Sequence, residues 1–235
     1  PLPVVKYKDG VAYDGFNDPE LRSRQRYVDL VVNEGVEDIF MKRAAIIKTM
    51  RTALDEAGYT EVETPILQSI AGGASARPFI THHNSLDIDL YLRIATELYL
   101  KRLIVGGFEG VYEIGKNFRN EGMDRTHNPE FTCMELYVQY KDYNWMVSFT
   151  EKLLERICIA VNGTSVSTID GKTISFKAPF RRLPILEAIK EKTGYDLEGK
   201  SEDEIRTICK ELKMEIDDTM GKGKVIDEIF GDFCD

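Results

Sequence analysis

The sequence predicts an α+β fold in which an antiparallel β-sheet is flanked by helices. Apolar and polar residues alternate strictly from Leu86 to Ile94, which is typical of a strand with one buried face. Apolar residues recur at helical spacing from Val36 to Ala57. Strands joined by turns and helices in separate runs lack the βαβ alternation of a doubly wound α/β fold, which is the next possibility.

The long helix and the strand that follows it have recognisable ends. Asn33 is expected to cap the start of the helix, and Gly58 to close its end. A short strand from Glu61 to Thr64 follows, and Pro65 restricts it to an edge or an irregular end of the sheet. The sequence therefore predicts a helix that leads directly into the sheet.

Further strands build the centre of the sheet. Asn84-Ser85 is expected to turn the alternating strand back on Phe79–His83. Strands are also predicted at Val111–Phe118 and Glu130–Gln139. The loop of about a dozen residues between them is longer than the usual hairpin connection. Long loops in compact domains are often functional, so this loop is a candidate site.

The remaining elements are marked by capping and turn signals. They are a helix from Thr96 to Gly106-Gly107, a helix from Trp145 to Val161, a hairpin turn at Asp170-Gly171, a helix that begins near Pro184, a helix opened by the capping box Ser201–Glu204 and an apolar helical pattern from Val225 to Phe233. This last pattern has no terminator, so the chain is expected to be a piece of a longer one.

Composition indicates a soluble, globular protein. Of 235 residues, 43% are hydrophobic and 30% are charged, and no run approaches the roughly 20 apolar residues of a membrane span. The net charge of −9 gives no global attraction to nucleic acid. Four cysteines without a CxxC spacing favour reduced thiols and a cytoplasmic location. Adjacent His82 and His83 would point to opposite faces of a strand, so no metal site is predicted in this chain.

The loop between the last two central strands is unusually charged. Its sequence, FRNEGMDRTHNPEF at positions 118–131, is most simply interpreted as a solvated hairpin tip. Arg119 and Glu121, however, begin the loop beside apolar Phe118, near the sheet. Glu135 lies within the apolar run CMELYV, where an acid is costly to bury without a partner. A bound cation and a structural salt bridge to an arginine would both explain that position.

These residues resemble the class II aminoacyl-tRNA synthetases. FRNEG…HNPEFTCMELY is similar to the second signature motif of the family, an arginine-x-glutamate loop between antiparallel strands. AGYTEVETPIL resembles the first motif, a long helix leading to a strand that ends in proline. RQRYVDL, GGASARPFITHHNSLDIDLYLRIATELYLKRL and VGGFEGVYEIGKNFRNEG resemble the lysyl-tRNA synthetases in particular. The resemblance runs from about residue 2 to the end of the sequence.

The resemblance implies that L-lysine is activated with ATP and Mg²⁺ as lysyl adenylate and transferred to tRNA(Lys). Such a reaction needs no protein nucleophile, so it depends on positioning and charge stabilisation. Arg119 would be catalytic, bridging the lysine carboxylate and the α-phosphate, although an ion pair with Glu121 is the structural alternative. Glu121 would bind the adenine amino group and Phe131 would stack on adenine. His127 and Asn128 would shape the phosphate side of the site.

The resemblance also implies a lysine pocket. Glu97 would bind the α-ammonium group, with favourable charge at a helix N-terminus as the alternative explanation. Glu135 would face the ε-ammonium group with Tyr137 beside it. Gly73 would let the backbone approach the amino acid, whose carboxylate Arg119 holds. Two carboxylates match the two ammonium groups of lysine, which neither aspartate nor asparagine offers.

Three segments and a homodimer are expected from the same resemblance. Residues 1–33 would be a connector from an anticodon-binding domain, residues 34–178 a catalytic core with the first two motifs, and residues 179–235 a mainly helical segment. The helix of the first motif implies a homodimer. No third motif is found, and most acidic metal ligands of the family lie near it, so this piece is expected to be inactive alone. Thr126 stands where many bacterial members have an arginine, and a nucleotide contact is therefore not carried over to Arg125.

Two other functions share part of the pattern. A lysyltransferase that modifies a translation elongation factor has the HNPEF run, but it continues with Leu-Glu-Trp in place of Met-Glu-Leu-Tyr. A non-catalytic paralogue could keep the fold as a dimerisation or binding module. Intact Arg119, Glu121 and Glu135 argue against that module. No membrane partner is expected.

Overall fold

A computed structural model gives the architecture of the chain. It describes residues 5–8, 11–14, 16–124 and 126–234, with side chains from residue 16 onward. The chain forms two compact units, Pro1–Pro179 and Phe180–Asp235. Arg125, for which a nucleotide contact was considered from the sequence, lies outside the described residues.

The first unit mixes helices and strands. Its elements in chain order are β1 (Val5–Lys8), β2 (Val11–Asp14), α1 (Pro19–Arg24), α2 (Arg26–Val32), α3 (Val36–Glu56), β3 (Thr60–Glu61), β4 (Leu67–Gln68), β5 (Ile80–His83), β6 (Ile88–Leu92), α4 (Glu97–Val105), β7 (Gly110–Phe118), β8 (Glu130–Val138), α5 (Tyr143–Asn162), β9 (Val166–Ile169) and β10 (Lys172–Ser175). Across the described ranges, no helix combines the length and apolar character needed to cross a membrane.

Two three-stranded sheets meet at the end of β6. In one, β7 pairs antiparallel with β8 in a register that places Phe118 opposite Glu130, and β3 pairs parallel with β7. In the other, β6 lies between β4 and β5 and is antiparallel to both. A backbone hydrogen bond of 2.9 Å from Phe118 N–H to Arg93 O joins the sheets, while Arg93 N–H donates to Ile66 O (2.9 Å) beside β4 in its own sheet. The predicted α+β fold is confirmed.

Helix α3 covers one face of the β7–β8 pair. Asp55 on α3 accepts a hydrogen bond from the Tyr112 hydroxyl on β7 (2.7 Å), and Arg43 donates to Thr132 Oγ1 on β8 (2.9 Å). Leu54 of α3 is fully buried. Side chains alternate along a strand, so the odd-numbered residues of β7 and β8 project from the opposite face. That face carries the residues of the candidate site.

An aromatic cluster joins the end of α3 to α5. Trp145 and Phe149 stack with ring centroids 5.0 Å apart, and Tyr59 meets them edge-on at 6.4 and 6.0 Å. Lys141 Nζ lies 5.5 Å from the centroid of the Trp145 ring, within the range of a cation–π contact. Asp142 caps α5 by accepting from the Trp145 N–H (2.9 Å). The start of α5 is therefore fixed by both a cap and ring packing.

Asn33 does not cap α3, contrary to the sequence prediction. Gly35, with a φ of 78°, takes that position. The Asn33 amide instead donates to the carboxylate of Asp29 (2.6 Å) and to the carbonyl oxygen of Phe16 (3.0 Å). Asp29 is completely buried and also accepts from Arg22 Nε (2.7 Å). Burial acts to raise the pKa of Asp29, but hydrogen bonds from Asn33 and Arg22 hold that pKa below its ordinary value.

The strand predicted at Glu61–Thr64 is shorter than expected, and one predicted cap is not made. β3 ends at Glu61. Thr64 leaves the ladder because its hydroxyl and its N–H both donate to Glu113, at 2.6 and 3.2 Å. Thr96 occupies the N-cap of α4, but its side chain makes no capping hydrogen bond.

The second unit is helical. It consists of α6 (Ile185–Thr193), α7 (Glu202–Glu211) and α8 (Lys222–Cys234). One apolar cluster forms its core, made of Ile189, Leu197, Ile205, Ile208, Cys209, Val225 and Ile229. Burial of this cluster explains why α7 and α8 show the apolar spacing found in the sequence.

Two local predictions are confirmed and a third is displaced by one position. Ser201 and Glu204 form the predicted capping box at the start of α7. Asp170 and Gly171 have φ values of 49° and 77°, as a type I′ turn requires. Pro184 lies at the N-cap of α6 and not in its first turn.

Candidate active site

The loop between β7 and β8 is closed at its base by hydrogen bonds. Arg119 follows β7 directly, and its N–H donates to the carbonyl oxygen of Pro129 (2.8 Å) just before β8. Asn120 N–H donates to the carbonyl oxygen of Arg77 (2.7 Å). The Arg77 N–H in turn donates to Glu121 Oε1 (3.1 Å). Arg119 and Glu121 are therefore held close to the end of the sheet.

Arg119 has no carboxylate partner among the described residues. In that part of the chain no ion pair joins it to Glu121, which was the structural alternative considered from the sequence. Its guanidinium carbon lies 5.1 Å from the centroid of the Phe131 ring, within cation–π range. Its Nε is buried without a hydrogen-bond partner. A cationic donor in this state is suited to an oxyanion ligand.

A cavity of about 510 Å³ opens beside Arg119. Its volume is in the range of pockets that hold small ligands. The five residues predicted to bind the nucleotide all line it. The lining residues are Arg119, Glu121, Gly122, Met123, Asp124, Thr126, His127, Asn128 and Phe131.

Asp124 organises the tip of the loop. One carboxylate oxygen accepts from the N–H groups of Thr126 and His127, both at 2.7 Å, and His127 Nδ1 lies 2.8 Å from the other. Hydrogen bonds from Thr126 and His127 hold the pKa of Asp124 well below its ordinary value. Asn128 donates to the carbonyl oxygen of Glu130 (2.5 Å). The sequence analysis missed this role of Asp124, although its spacing from His127 was an available signal.

Glu135 is partly buried and is held by neutral donors. Its Oε1 accepts from the Thr96 N–H (3.2 Å), and its Oε2 accepts from the Tyr137 hydroxyl (3.1 Å). Burial, followed by the charge of Glu135, raises the pKa of Tyr137, so the hydroxyl keeps its proton and donates. No lysine or arginine of the described residues is within ion-pair distance of Glu135, so the salt bridge considered from the sequence is not formed. Its charge remains available to a bound cation.

Gly73 and Glu97 lie against each other at the start of α4. Gly73 has a φ of 89°, and a Cβ placed there would lie 3.1 Å from the Cβ of Glu97. The Glu97 carboxylate pairs with Lys101 Nζ (2.5 Å), one turn further along the helix. Lys101 Nζ also lies 5.9 Å from the centroid of the Tyr137 ring. Because Tyr137 donates to Glu135, the two predicted lysine-binding carboxylates border the same region.

Unpaired buried polar atoms are concentrated around this region. Among the described residues they are Thr96 Oγ1, Asn117 Oδ1 and Arg119 Nε. Asn117 lies opposite Phe131 in the β7–β8 register, and the Thr96 backbone contacts Glu135. Native proteins leave few such atoms without a partner, so their concentration here indicates a site for polar ligand groups. The sequence analysis did not single out Thr96 or Asn117 as site residues, because no local pattern signals an unpaired atom.

The described residues do not fit a magnesium cage. They contain no group of three or more His, Cys, Asp or Glu side chains placed to hold a metal ion. His82 contacts Asp89 (3.0 Å) and Asp87 (3.3 Å) at the surface. At the cavity, Asp124 is occupied by loop donors and Glu121 by a backbone N–H.

An arginine-x-glutamate loop between antiparallel strands, with a long helix across the other face, defines the catalytic core of a class II aminoacyl-tRNA synthetase. Comparison with known families agrees with this class. The family model described as tRNA synthetases class II (D, K and N) matches residues 18–219, and the chain belongs to this family.

The chain is similar over its whole length to curated proteins named lysine–tRNA ligase. It is 66% identical to the one from Porphyromonas gingivalis, 64% to that from Christiangramia forsetii and 60% to that from Azobacteroides pseudotrichonymphae. Each alignment covers 100% of this chain but only 41%, 42% and 47% of the respective relative. The chain therefore spans less than half the length of these relatives. The resemblance predicted from the motifs is confirmed.

Replacing Asp124 with asparagine is expected to loosen the loop between β7 and β8. The side chain keeps its shape but loses the charge that accepts from two backbone N–H groups. The amides of Thr126 and His127 should then exchange with solvent about tenfold faster or more. Hydrogen exchange of the full-length protein, resolved at these residues, measures the effect.

A matched control and the pH dependence sharpen this test. Asp87→Asn, whose side chain is 96% exposed on another turn, should leave the loop amides unchanged. Since folding lowers the pKa of Asp124, wild-type protection should be complete at neutral pH and should fall only below the ordinary aspartate range. Equal exchange in wild type and Asp124→Asn would contradict the assigned role.

Proposed function

We propose that the protein containing this chain activates L-lysine with ATP as lysyl adenylate and then transfers the lysyl group to tRNA(Lys). Similarity to lysine–tRNA ligases supports the proposal. The observation that carries it is Glu135, a partly buried carboxylate whose contacts are neutral donors. A ligand ammonium group would compensate that charge. Glu97 supplies the second carboxylate that the two ammonium groups of lysine require.

In the first step, an oxygen of the lysine carboxylate attacks the α-phosphorus of ATP. The new O–P bond forms as the bond to the bridging oxygen breaks, and pyrophosphate leaves. Arg119 would contact both the carboxylate and the α-phosphate, since a planar guanidinium can bind two oxyanions. The unpaired Nε supports this role. No residue is required as a nucleophile, and positioning with charge stabilisation lowers the barrier.

The nucleotide would bind in the cavity beside Arg119. Phe131 would stack on adenine, and Glu121, oriented by its hydrogen bond from a backbone N–H, would accept from the adenine amino group. His127 and Asn128 would shape the phosphate side. ATP is proposed to bind as its Mg²⁺ complex.

The amino acid would lie along the face that carries Glu135. Its ε-ammonium group would pair with Glu135 beside Tyr137, and its α-ammonium group would pair with Glu97. Lys101 now makes that contact with Glu97, so the substrate ammonium would replace it. Gly73 would let the backbone approach the substrate, because any Cβ there crowds Glu97.

We also propose a cytoplasmic homodimer formed through α3. Large apolar side chains on α3 and the adjoining α2 are exposed, with Ile39 at 68%, Met41 at 61% and Tyr27 at 72%. An exposed apolar patch of this kind is typical of a protein interface. Assignment of residues 1–33 as a connector, residues 34–178 as the catalytic core and residues 179–235 as a further segment stays a prediction.

Arg119→Ala in the full-length protein should lower lysine-dependent ATP–pyrophosphate exchange by about 100-fold or more. This is the usual scale for the loss of one charge contact that stabilises a transition state. Arg102→Ala is the matched control, because Arg102 stacks on Tyr99 with its guanidinium carbon 4.9 Å from the ring centroid. Near-normal exchange by Arg119→Ala would refute its catalytic role.

Glu135→Gln should weaken lysine recognition without affecting ATP. The amide keeps the shape and loses the charge that would pair with the ε-ammonium group. We expect the KM for lysine to rise at least about tenfold, and the KM for ATP to stay within about threefold. The ratio of kcat/KM for lysine to that for norleucine should fall. A site built around a polar substrate group rejects an analogue that lacks this group, and the variant no longer has the charge on which that rejection depends.

Pyrophosphate exchange across a series of amino-acid concentrations measures these values. Glu130→Gln on the same strand is the control, because that side chain is 54% exposed and pairs with Lys116. A collapse of ATP affinity with an unchanged lysine KM would place Glu135 in the nucleotide site or in a structural role.

Ile39→Glu should convert the full-length dimer into monomers. The substitution places a charge in an apolar patch that the proposed interface would bury. Light scattering at micromolar concentration measures the mass. Val105→Glu, at a side chain that is 89% exposed on α4, should leave the mass unchanged. A monomeric wild-type protein, or a dimeric Ile39→Glu variant, would contradict this interface.

A further inference from the structure

Arg93 and Glu113 form a buried ion pair beside the candidate lysine pocket. Their side chains are 2% and 4% exposed, and Arg93 Nη1 lies 2.5 Å from Glu113 Oε1. Arg93 also donates to the carbonyl oxygens of Lys116 (2.9 Å) and Thr64 (3.0 Å). Thr64 donates twice to the other carboxylate oxygen of Glu113. Both charges are therefore hydrogen-bonded inside the protein.

Stability alone is a weak explanation for this pair. Removing two charges from water offsets much of their attraction, so apolar replacements of buried ion pairs are often neutral or stabilising. Strand β7 also has no side chain where the guanidinium lies, since a Cβ at Gly115 would be 2.3 Å from Arg93 Nη2. Glycine in a strand interior weakens the strand. Because these features cost stability, we infer that the ion pair of Arg93 and Glu113 has a role in the site.

Glu113 lies on the strand next to Glu135, the carboxylate proposed to bind the ε-ammonium group. Glu113 and Glu135 are partners in the antiparallel register of β7 and β8. Their side chains leave the same face, and Cα atoms in such pairs are about 5 Å apart. Like charges in these positions repel. Arg93 neutralises Glu113, while Glu135 keeps neutral donors.

The environment of Cys133 places these charges in one region. Cys133 lies opposite Gly115 in the register. Burial and then Glu135 raise the pKa of the Cys133 thiol, while Arg119 and Arg93 act to lower it. One side chain on this face is therefore within the field of both arginines and of Glu135.

We propose that Arg93 and Glu113 are positioning residues that set the selectivity for lysine. Glu113 holds the Arg93 guanidinium, which keeps it from pairing with Glu135 and leaves that carboxylate for the substrate ε-ammonium group. The inference rests on the proposed function. Thr96 adds a backbone link, because it follows Arg93 by three residues and donates to Glu135.

Glu113→Gln in the full-length protein tests this role. Glutamine keeps the shape and can still accept from Thr64, but Arg93 loses its counter-charge. The unbalanced guanidinium would act on Glu135 and repel an ammonium ligand. The KM for lysine in pyrophosphate exchange should rise about tenfold or more, and the KM for ATP and the kcat should stay within about threefold. The ratio of kcat/KM for lysine to that for norleucine should fall, because the norleucine side chain has no ε-ammonium group to repel.

Two further variants separate charge balance from structure. Glu61→Gln makes the same charge change beside the same sheet, at a carboxylate paired with Arg51 (2.9 Å), and should leave the lysine KM unchanged. Arg93→Gln/Glu113→Gln removes both charges. Without a guanidinium, its lysine KM should return to within about threefold of wild type. A purely structural pair predicts that the double variant is at least as impaired as the single one.

The outcomes distinguish this inference from the function on which it rests. An unchanged lysine KM and norleucine preference in Glu113→Gln, with only a lower Tm or active fraction, would overturn the inference alone. A double variant as impaired as the single one would do the same. If Glu113→Gln does not fold, the double variant decides: a lysine KM near wild type supports the inference, and a larger rise overturns it. No lysine-dependent exchange in wild type would overturn the proposed function and this inference together.

Discussion

The buried contact between Arg93 and Glu113 connects the parts of the protein on which the candidate site is built. The Arg93 carbonyl accepts the backbone hydrogen bond from Phe118 that joins the two sheets, and the Arg93 side chain reaches Lys116 on β7 and Thr64 after β3. Arg119 follows β7, so its position depends on how that strand is held. Thr96, whose N–H donates to Glu135, follows Arg93 by three residues. One arginine thus links the catalytic candidate to the candidate specificity residue.

Charge in the site is arranged as separated groups in a partly buried setting. The sequence has a net charge of −9, yet neither the Arg119 guanidinium nor the Glu135 carboxylate is in an ion pair with another described residue. An ion pair on the surface, such as Arg24 with Glu20, contributes little free energy because water screens both partners. The attraction between an unpaired charge and a charged ligand is stronger where the charge is less exposed to water. A zwitterion with an added ammonium group has the charge pattern that complements this arrangement.

Sequence patterns predicted the structure best where a local signal decides the conformation. The alternation from Leu86 to Ile94 predicted β6, and the spacing of Ser201 and Glu204 predicted a capping box, because these features depend on neighbouring residues. The cap expected from Asn33 was wrong, since its amide binds the buried Asp29. Parallel pairing of β3 with β7 was missed, because partners distant in sequence decide it.

In the candidate site, too, the sequence predicted residues within a local motif and missed residues whose partners are distant in sequence. The five residues that the motif resemblance assigned to the nucleotide are among those that line the cavity, but their assigned roles stay predictions. Arg93 was not recognised, because it lies on the polar side of an alternating pattern and resembles a solvated residue. Its partner Glu113 comes 20 positions later. An acid within the apolar run VYEIG was the available signal, and it is the same kind of signal that drew attention to Glu135.

The aromatic cluster at the start of α5 gives the protein a natural optical label. Trp145 is the single tryptophan of the sequence, and it is stacked on Phe149 inside the first unit. Residues 180–235 contain no tryptophan, so indole emission from this chain reports only on the first unit. Displacement of α5 from Tyr59 would change the surroundings of the indole ring and hence its emission. Loss of structure in the first unit can therefore be followed by indole fluorescence without attaching a dye, whereas circular dichroism reports on the helices of both units together.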